Sequence, residues 1–491
     1  MAMETLANPA RQTGRRGFWV DLFTRLTKTK LISLVLVFDL AAFCGLGLLA
    51  LMARSSHTMY DSLVPPVTII LVALVAVYIL QRLWAYTVSA LGAFVRQVRA
   101  LLIACTGAFV LVMGLYFLLD IHVIGERAWL ILWSTLVILV LVPFRLLVSR
   151  VVQAAERRGD LQRRAVIVGG GKACEDLVAR LERTGERTIR ILGLFDDRGG
   201  ERSPEQVGRY RKIGTFEELE TYARENAVDL LIIALPPSAE ERILHLLKRL
   251  WQLPVDVRIA AHVAKLKLAK RAYTYIGDVP FLAVFDRPLS DWNTTVKALF
   301  DRVVAAIVLV ALLPVMLLVA LAIKLDSRGP VFFRQQRFGF NNNLIGVYKF
   351  RSMYADQADL HARKQVTKDD PRVTRVGRFI RRTSLDELPQ LINVLRGELS
   401  LVGPRPHATQ TMAANQLYQD VVAGYFARHR MKPGITGWAQ VNGWRGETDT
   451  VEKIERRVEH DLYYIENWSL TLDLYILAMT PFSLLNLRNA Y

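Results

Sequence analysis

The sequence predicts a multi-domain membrane protein in three parts. These are an N-terminal four-helix transmembrane bundle over 1–150, an α/β domain over 160–285, and a C-terminal α+β domain over 290–491 with a re-entrant membrane helix at about 298–325. Three observations predict it. Four apolar runs fill the first third, at 31–53, 63–80, 101–119 and 128–144, each near the ~20 residues a spanning helix needs. Short apolar strands then alternate with helical segments. A fifth apolar run, Val303 to Ile323, carries no charge but holds Pro314 at its middle.

The bundle comes first. Segments 1–30, 81–100 and 145–164 carry 6, 3 and 6 Lys/Arg, whereas the two intervening loops carry only Arg54 and Arg127. This asymmetry places both ends of the bundle in the cytoplasm. Asp39 lies inside the first run. An acid at that depth is either functional or paired with a neighbouring helix, and pairing is favoured. Composition agrees with a membrane protein: 52% of the 491 residues are hydrophobic and mean hydropathy is +0.24. The net charge of +18 suits the positive-inside rule, anionic lipid or phosphorylated ligands, and no nucleic-acid partner is expected. Cys44, Cys105 and Cys174 are scattered without a Cys-x-x-Cys pair, which argues against a disulfide framework or a zinc site. The first 30 residues are basic and amphipathic but lack a cleavage site, so no cleaved signal peptide is expected.

In the second part, strands are expected at 165–168, 191–195, 230–234 and 255–259, with a helix from about 172. Strand–helix alternation implies a parallel, doubly wound sheet. Gly169, Gly170 and Gly171 after the first strand, and Asp196-Asp197 after the second, give the domain a Rossmann-like look. The third glycine of a dinucleotide fingerprint is replaced by Cys174, so a tight structural or regulatory turn is favoured over a nucleotide site.

Two features of the fifth run object to a simple span. Pro314 removes a backbone hydrogen bond at its centre. Basic residues flank both ends: Lys297 and Arg302 before, Lys324, Arg328, Arg334 and Arg337 after. A helix–break–helix that enters and leaves one leaflet satisfies both. Beyond it, 331–336 and 344–350 read as a hairpin around Gly339 and Asn341–Asn343, Pro389–Arg396 as a short helix ended by Gly397, and 470–487 as an apolar surface helix.

Chemistry concentrates in four stretches. Arg381-Arg-Thr-Ser-Leu-Asp-Glu-Leu-Pro-Gln390 sets Asp386 and Glu387 between two arginines and a helix. One reading is a capping box of Ser384 and Glu387. Pro389 weighs against it, because a helix that starts at Leu385 would meet proline in its second turn. The other reading is a carboxylate at a phosphate-attracting helix N-terminus, able to attack phosphorus when a metal screens the charge. Leu399-Ser-Leu-Val-Gly-Pro-Arg-Pro406 is a stiff turn presenting Arg405, which suits a bidentate phosphate contact. Lys432-Pro-Gly-Ile-Thr-Gly-Trp-Ala-Gln-Val-Asn-Gly-Trp-Arg-Gly-Glu447 offers Gln440, Asn442 and Arg445 for a base or a sugar. Tyr348-Lys-Phe-Arg-Ser-Met353 puts Lys349 and Arg351 on one strand face, toward a pyrophosphate.

These stretches, with Asp326-Ser-Arg-Gly-Pro-Val-Phe-Phe333, make residues 295–491 resemble the bacterial sugar transferase family, the monotopic phosphoglycosyl transferases. The whole chain is similar to the family's large form, which joins four helices and a Rossmann-like insert to the transferase. The resemblance implies transfer of hexose-1-phosphate from a UDP-sugar to undecaprenyl phosphate, with UMP released by a ping-pong mechanism. It assigns the nucleophile to Asp386, a supporting or metal-binding acid to Glu387, Mg2+ to that acid pair, and phosphate contacts to Arg381, Lys349, Arg405 and Asp461. It also implies a place in the bacterial inner membrane with the two globular parts cytoplasmic, and a role in exopolysaccharide or capsule assembly; the sequence is silent on oligomeric state, with a homodimer one option. A cytosolic nucleotide sugar adds a third objection to a spanning 303–323 segment. The family usually breaks its re-entrant helix at Ser-Pro; here the pair is Leu313-Pro314. The ending Val441–Asp449 is similar to members that use UDP-glucose, while the sequence itself does not choose between glucose and galactose. Membrane-bound nucleotide-sugar dehydratases are disfavoured, since none of the 16 tyrosines has lysine four residues on. A scaffold with a degenerate site is disfavoured by the intact motifs.

Overall fold

The computed structural model describes residues 28–53, 64–118, 127–184, 188–198, 204–226, 228–260, 273–276, 279–355, 370–407, 412–413, 416–417, 422, 424–444, 446 and 450–485. It divides into two compact units, Met1–Gln162 and Arg163–Tyr491. Among the described residues five helices are long and apolar enough to cross a membrane, and four of them lie in the first unit.

Those four are Lys28–Met52, Val64–Arg82, Phe94–Leu118 and Arg127–Arg158. Pro65 and Pro66 sit in a first turn, where no helical hydrogen bond is lost. The bundle closes around Phe43, Val72, Leu101, Trp133 and Leu141. The Trp133 indole donates to Phe43 O at 3.0 Å, and Gly47 leaves room for its ring. Asp39 is fully buried and paired, as favoured from the sequence. Arg145 Nη2 donates to its Oδ2 at 2.5 Å and Tyr86 O–H to the same oxygen at 2.7 Å. Removing one partner of such a pair costs about 3–5 kcal/mol, because the other charge stays buried.

The second unit opens with an eight-stranded sheet. Its strands are β1 (Arg163–Val168), β2 (Ile189–Phe195), β3 (Gln206–Val207), β4 (Tyr210–Gly214), β5 (Leu230–Ile233), β6 (Asp256–Ala260), β7 (Tyr273–Ile276) and β8 (Val279–Phe285). The order is β3-β4-β2-β1-β5-β6-β8-β7. The four expected strands form the parallel centre, β2-β1-β5-β6. The expectation of a wholly parallel sheet is corrected at the rims. β8 runs antiparallel to β6 and β7, and β3 antiparallel to β4. Alternation sorts the core: Ala165 and Ile167 face one apolar layer, Val166 and Val168 the other.

The helix Asp291–Asp326 links the sheet to the remainder. Ser290 Oγ caps it by accepting from Asn293 N–H at 3.2 Å. It continues through Pro314, so the break expected there does not interrupt the helix. The hairpin expected after it is present as β9 (Phe332–Phe338) and β10 (Leu344–Phe350), in register from Phe338↔Leu344 to Phe332↔Phe350. Helices Arg375–Arg382, Gln390–Arg396, Val451–Glu466 and Leu470–Leu485 complete the unit. The short parallel pair β11 (Ser400–Val402) and β12 (Gly434–Thr436) joins them. Ala305, Val347, Leu391, Val394, Tyr464 and Ile476 share one apolar cluster, which packs the membrane helix against the hairpin and both C-terminal helices.

Candidate active site

The site grows from the turn between two helices. Thr374 caps Arg375–Arg382, and the chain reverses at Ser384, whose φ of 59° is left-handed. A 3-10 turn over Leu385–Glu387 follows, and Gln390–Arg396 begins after Pro389. Ser384 accepts no capping hydrogen bond, so the capping-box reading is not realised.

Glu387 turns instead toward two cations. Lys349 Nζ donates to its Oε1 at 2.7 Å and Arg405 Nη2 to the same oxygen at 2.8 Å, while Arg405 Nη1 reaches Oε2 at 3.4 Å. Burial opposes ionisation of Glu387, but Arg405 and Lys349 outweigh it and hold the carboxyl well below the ordinary carboxylate range. Asp386 is half-buried and takes no hydrogen bond or ion pair from any described residue. Burial raises its pKa; Lys349 opposes the rise, the Glu387 charge adds to it, and Arg381 and Arg405 oppose it from further off, with a net upward shift. Arg381 acts by charge alone, its guanidinium unpaired among the described residues. Two acids side by side thus have opposite fates: one is committed, one is open.

Arg405 is held from behind. Gly403 N–H donates to Thr436 O at 2.9 Å and Gly434 N–H to Pro404 O at 3.0 Å, which stitches the two motif loops together. The approach needs glycine, because a Cβ on Gly434 would lie 2.1 Å from Gly403 N. Buried Arg428 donates from Nη2 to Arg405 O at 2.7 Å and to Asp461 Oδ2 at 2.5 Å, and its Nη1 lies 2.6 Å from His407 Nδ1. Arg428 Nη1 can only donate, so His407 Nδ1 accepts there, and burial and then Arg428 push the His407 pKa well below its usual value. Arg337 Nη1 donates to Pro406 O at 2.6 Å.

Of the residues singled out in the sequence, the structure brings Lys349, Asp386, Glu387 and Arg405 together, with the Arg381 charge acting on Asp386. Others are placed differently. Asp461 is 2% exposed and spent on Arg428, so it supports Arg405 rather than facing a ligand. Arg351 does not share the Lys349 role: it is buried and donates to Ser327 O at 2.7 Å and Arg328 O at 2.6 Å, closing the end of the membrane helix. Gln440 is buried, with an Oε1 that no described residue satisfies. Asn442 donates to Trp438 O at 2.8 Å, and Arg445 lies outside the described residues. The sequence reading missed Arg337, His407 and Arg428. The run Arg428-His429-Arg430 was the only signal for the last, and nothing local ties it to Arg405.

The glycine turn of the sheet is a different kind of place. Gly170 N–H donates to Asp196 Oδ2 at 2.6 Å and Arg198 Nη2 to the same oxygen at 2.8 Å, while Phe216 N–H takes Asp197 Oδ1 at 2.7 Å. Both acids are consumed within the domain.

A family model described as bacterial sugar transferase matches residues 292–487, and one described as CoA-binding domain matches 83–261. The chain is 43% identical to undecaprenyl-phosphate glucose phosphotransferase of Komagataeibacter xylinus, over 73% of this chain and 66% of that one. It is 36% identical to UDP-glucose:undecaprenyl-phosphate glucose-1-phosphate transferase of Xanthomonas campestris pv. campestris, over 77% and 79% of the two chains. It is 49% identical to exopolysaccharide production protein PSS of Rhizobium leguminosarum bv. phaseoli, over 39% of this chain but 96% of that one. With the site geometry and these matches together, the chain belongs to the bacterial sugar transferase family.

Proposed function

We propose that this membrane protein transfers glucose-1-phosphate from UDP-glucose to undecaprenyl phosphate and releases UMP, the first membrane step of exopolysaccharide or capsule assembly. The observation that carries the reading is the divided acid pair: Glu387 is tied to Lys349 and Arg405, and Asp386, under the charge of three cations, is bonded by no described residue. An Asp386 oxygen attacks the β-phosphorus. The bond from that phosphorus to the bridging oxygen breaks, and UMP leaves with the oxygen. A sugar-phosphate ester of Asp386 remains. An oxygen of undecaprenyl phosphate then attacks the same phosphorus, the ester bond breaks, and Asp386 returns as a carboxylate. The N–H groups of Arg405 not used on Glu387, and those of Arg381, are available to the equatorial phosphate oxygens. The Komagataeibacter and Xanthomonas names support glucose.

Magnesium fits as an ion carried largely by the diphosphate. Among the described residues no three His, Cys, Asp or Glu side chains form a metal cluster, and both Glu387 oxygens are engaged. Asp386 would hold it with substrate oxygens and water, the usual manner for this ion. When bound it supplies neutralisation of the leaving phosphate.

The reading places the site on the cytoplasmic side of the bacterial inner membrane, on a re-entrant helix. Both ends of Asp291–Asp326 are fastened to one fold, which supports this. Asp301 accepts from Ser400 Oγ at 2.7 Å, and Lys297 donates to Asp473 at 2.8 Å. At the other end Asp326 Oδ2 accepts from Val376 N–H at 3.1 Å. Between them Ile307, Val310, Leu317, Leu318 and Leu321 point outward. Cysteine labels at 298 and 326 should report the same side, and opposite sides would overturn this path. A homodimer belongs to the same reading, testable by the mass of the solubilised protein.

Asp386→Asn should abolish both UMP release and the sugar-phosphate adduct from UDP-glucose. Normal turnover by that variant sinks the assignment. A panel of UDP-sugars tests glucose against galactose.

A further inference from the structure

Resting on that transfer reading, we infer that Arg224, Asn341 and Asn342 are positioning residues through which the α/β domain holds Arg405 in place. The domain grips the transferase half at three points. Arg224, in the last turn of helix Phe216–Glu225, donates from Nη1 to Asn341 Oδ1 at 3.3 Å, and Asn341 Nδ2 donates back to Arg224 O at 3.4 Å. The Trp251 ring covers Gly424 so closely that a Cβ there would lie 2.2 Å from it. Arg430 Nη2 donates to Asp286 O at 2.8 Å.

All three grips land around one element, the 3-10 segment Tyr425–Arg430. Arg428, in its middle, bonds Arg405 O and His407. Asn341 reaches that segment through its neighbour, since Asn342 Oδ1 pairs with His429 Nδ1. His429 also stacks on Phe338 at 5.7 Å between centroids, and Phe338 N–H donates to His407 O at 3.4 Å. The turn itself is held in an unusual shape. Asn341 and Asn342 have φ of 55° and 62°, two successive left-handed residues without a glycine. Such backbone persists where surrounding bonds over-determine it. Arg224 supplies one of those bonds from outside the transferase half.

The grip is an addition to the family's transferase rather than part of its minimum. The Rhizobium relative is matched over 96% of its length by 39% of this chain, so it is scarcely longer than residues 292–487 and has no room for both halves.

The test uses the full-length protein in nanodiscs with UDP-glucose alone, and follows single-turnover UMP release. Glycine keeps the left-handed turn without strain, so Asn341→Gly and Asn342→Gly delete only the side-chain bonds. Arg224→Ala, Asn341→Gly and Asn342→Gly should each slow UMP release about ten- to a hundredfold, with KM for UDP-glucose little changed. Arg224→Lys should recover part of the rate. The pair Arg224→Ala/Asn341→Gly should be no slower than the worse single variant. Wild-type rates in the folded single variants overturn the inference, and so does a loss that adds between the two and follows the thermal midpoint. Asn342→Gly keeps the question open to measurement where Arg224→Ala does not fold. Asp386→Asn separates the two readings. If it releases UMP normally the transfer chemistry fails; if it is silent while Arg224→Ala is normal, only the positioning role falls.

Discussion

Two acid pairs follow a regular element in this molecule, Asp196-Asp197 after strand β2 of the sheet domain and Asp386-Glu387 after the helix Arg375–Arg382 of the transferase half. Each has an arginine close by. Their hydrogen bonds separate them. Asp196 takes the guanidinium of Arg198 and the amide of Gly170, and Asp197 takes the amide of Phe216. No carboxylate in that pair is left over. In the second pair Glu387 takes Lys349 and Arg405, while Asp386 takes nothing from the described residues. A motif of charges becomes reactive where the local cations outnumber the oxygens that are tied down, and one carboxylate is left to act.

The sharpest way to break the contrast is to remove the cations that commit Glu387. Lys349→Met and Arg405→Ala should each lower UMP release by about 10²–10³, since each leaves a half-buried carboxylate underpaired, and the second also strips the proposed phosphate contact. Rates within a few-fold of wild type would mean that the ion pairs are structural decoration. Arg405→Lys should recover little, because a point charge does not reproduce the fork that spans both Glu387 oxygens.

A smaller effect sharpens it. In the proposed transfer Asp386 attacks as the anion, and its pKa lies above the ordinary 3.8, raised by burial and by Glu387. UMP release should therefore fall as pH drops through that raised value. Glu387→Gln removes the negative neighbour and frees Lys349 and Arg405 to act on Asp386, so the acid limb should move to lower pH. Arg381→Gln removes a lowering charge, so the limb should move up. A limb that stays put in both variants would assign it to another group.

How much of this contrast the sequence displays depends on how local each cause is. The apolar runs, the strand alternation, the hairpin and the short helix ended by Gly397 follow from neighbours in the chain, and all are found, the helix starting at Gln390 with Pro389 just ahead of it. The fate of Glu387 does not. Ser384-x-x-Glu387 is a sound capping box by local chemistry, and it fails because Lys349 and Arg405, distant in sequence, offer two charged partners instead of one amide. Asp461 and Arg351 mislead for the same reason: motif position suggests a ligand, while the fold gives each a buried protein partner. The antiparallel rim strand β8 is also long-range, placed by its pairing with β6.

The smallest expected effect lies in the sheet domain, and it tests whether commitment is the right distinction. Burial raises the Asp196 pKa, but Arg198 and the amides of Arg198 and Gly170 more than offset it, so the folded value is depressed. Its contribution to stability is then present above the unfolded value and lost as pH falls through the folded one. Asp196→Asn keeps the shape and removes the charge. It should weaken the protection of β1 and β2 against hydrogen exchange by about 2 kcal/mol, the scale of hydrogen bonds to a charged group. UMP release from UDP-glucose should be unchanged, because Asp196 has no oxygen to spare for a reaction. Loss of transfer with the sheet still protected would show a committed acid taking part in the chemistry, and the distinction between the two pairs would have to rest on something other than free charge.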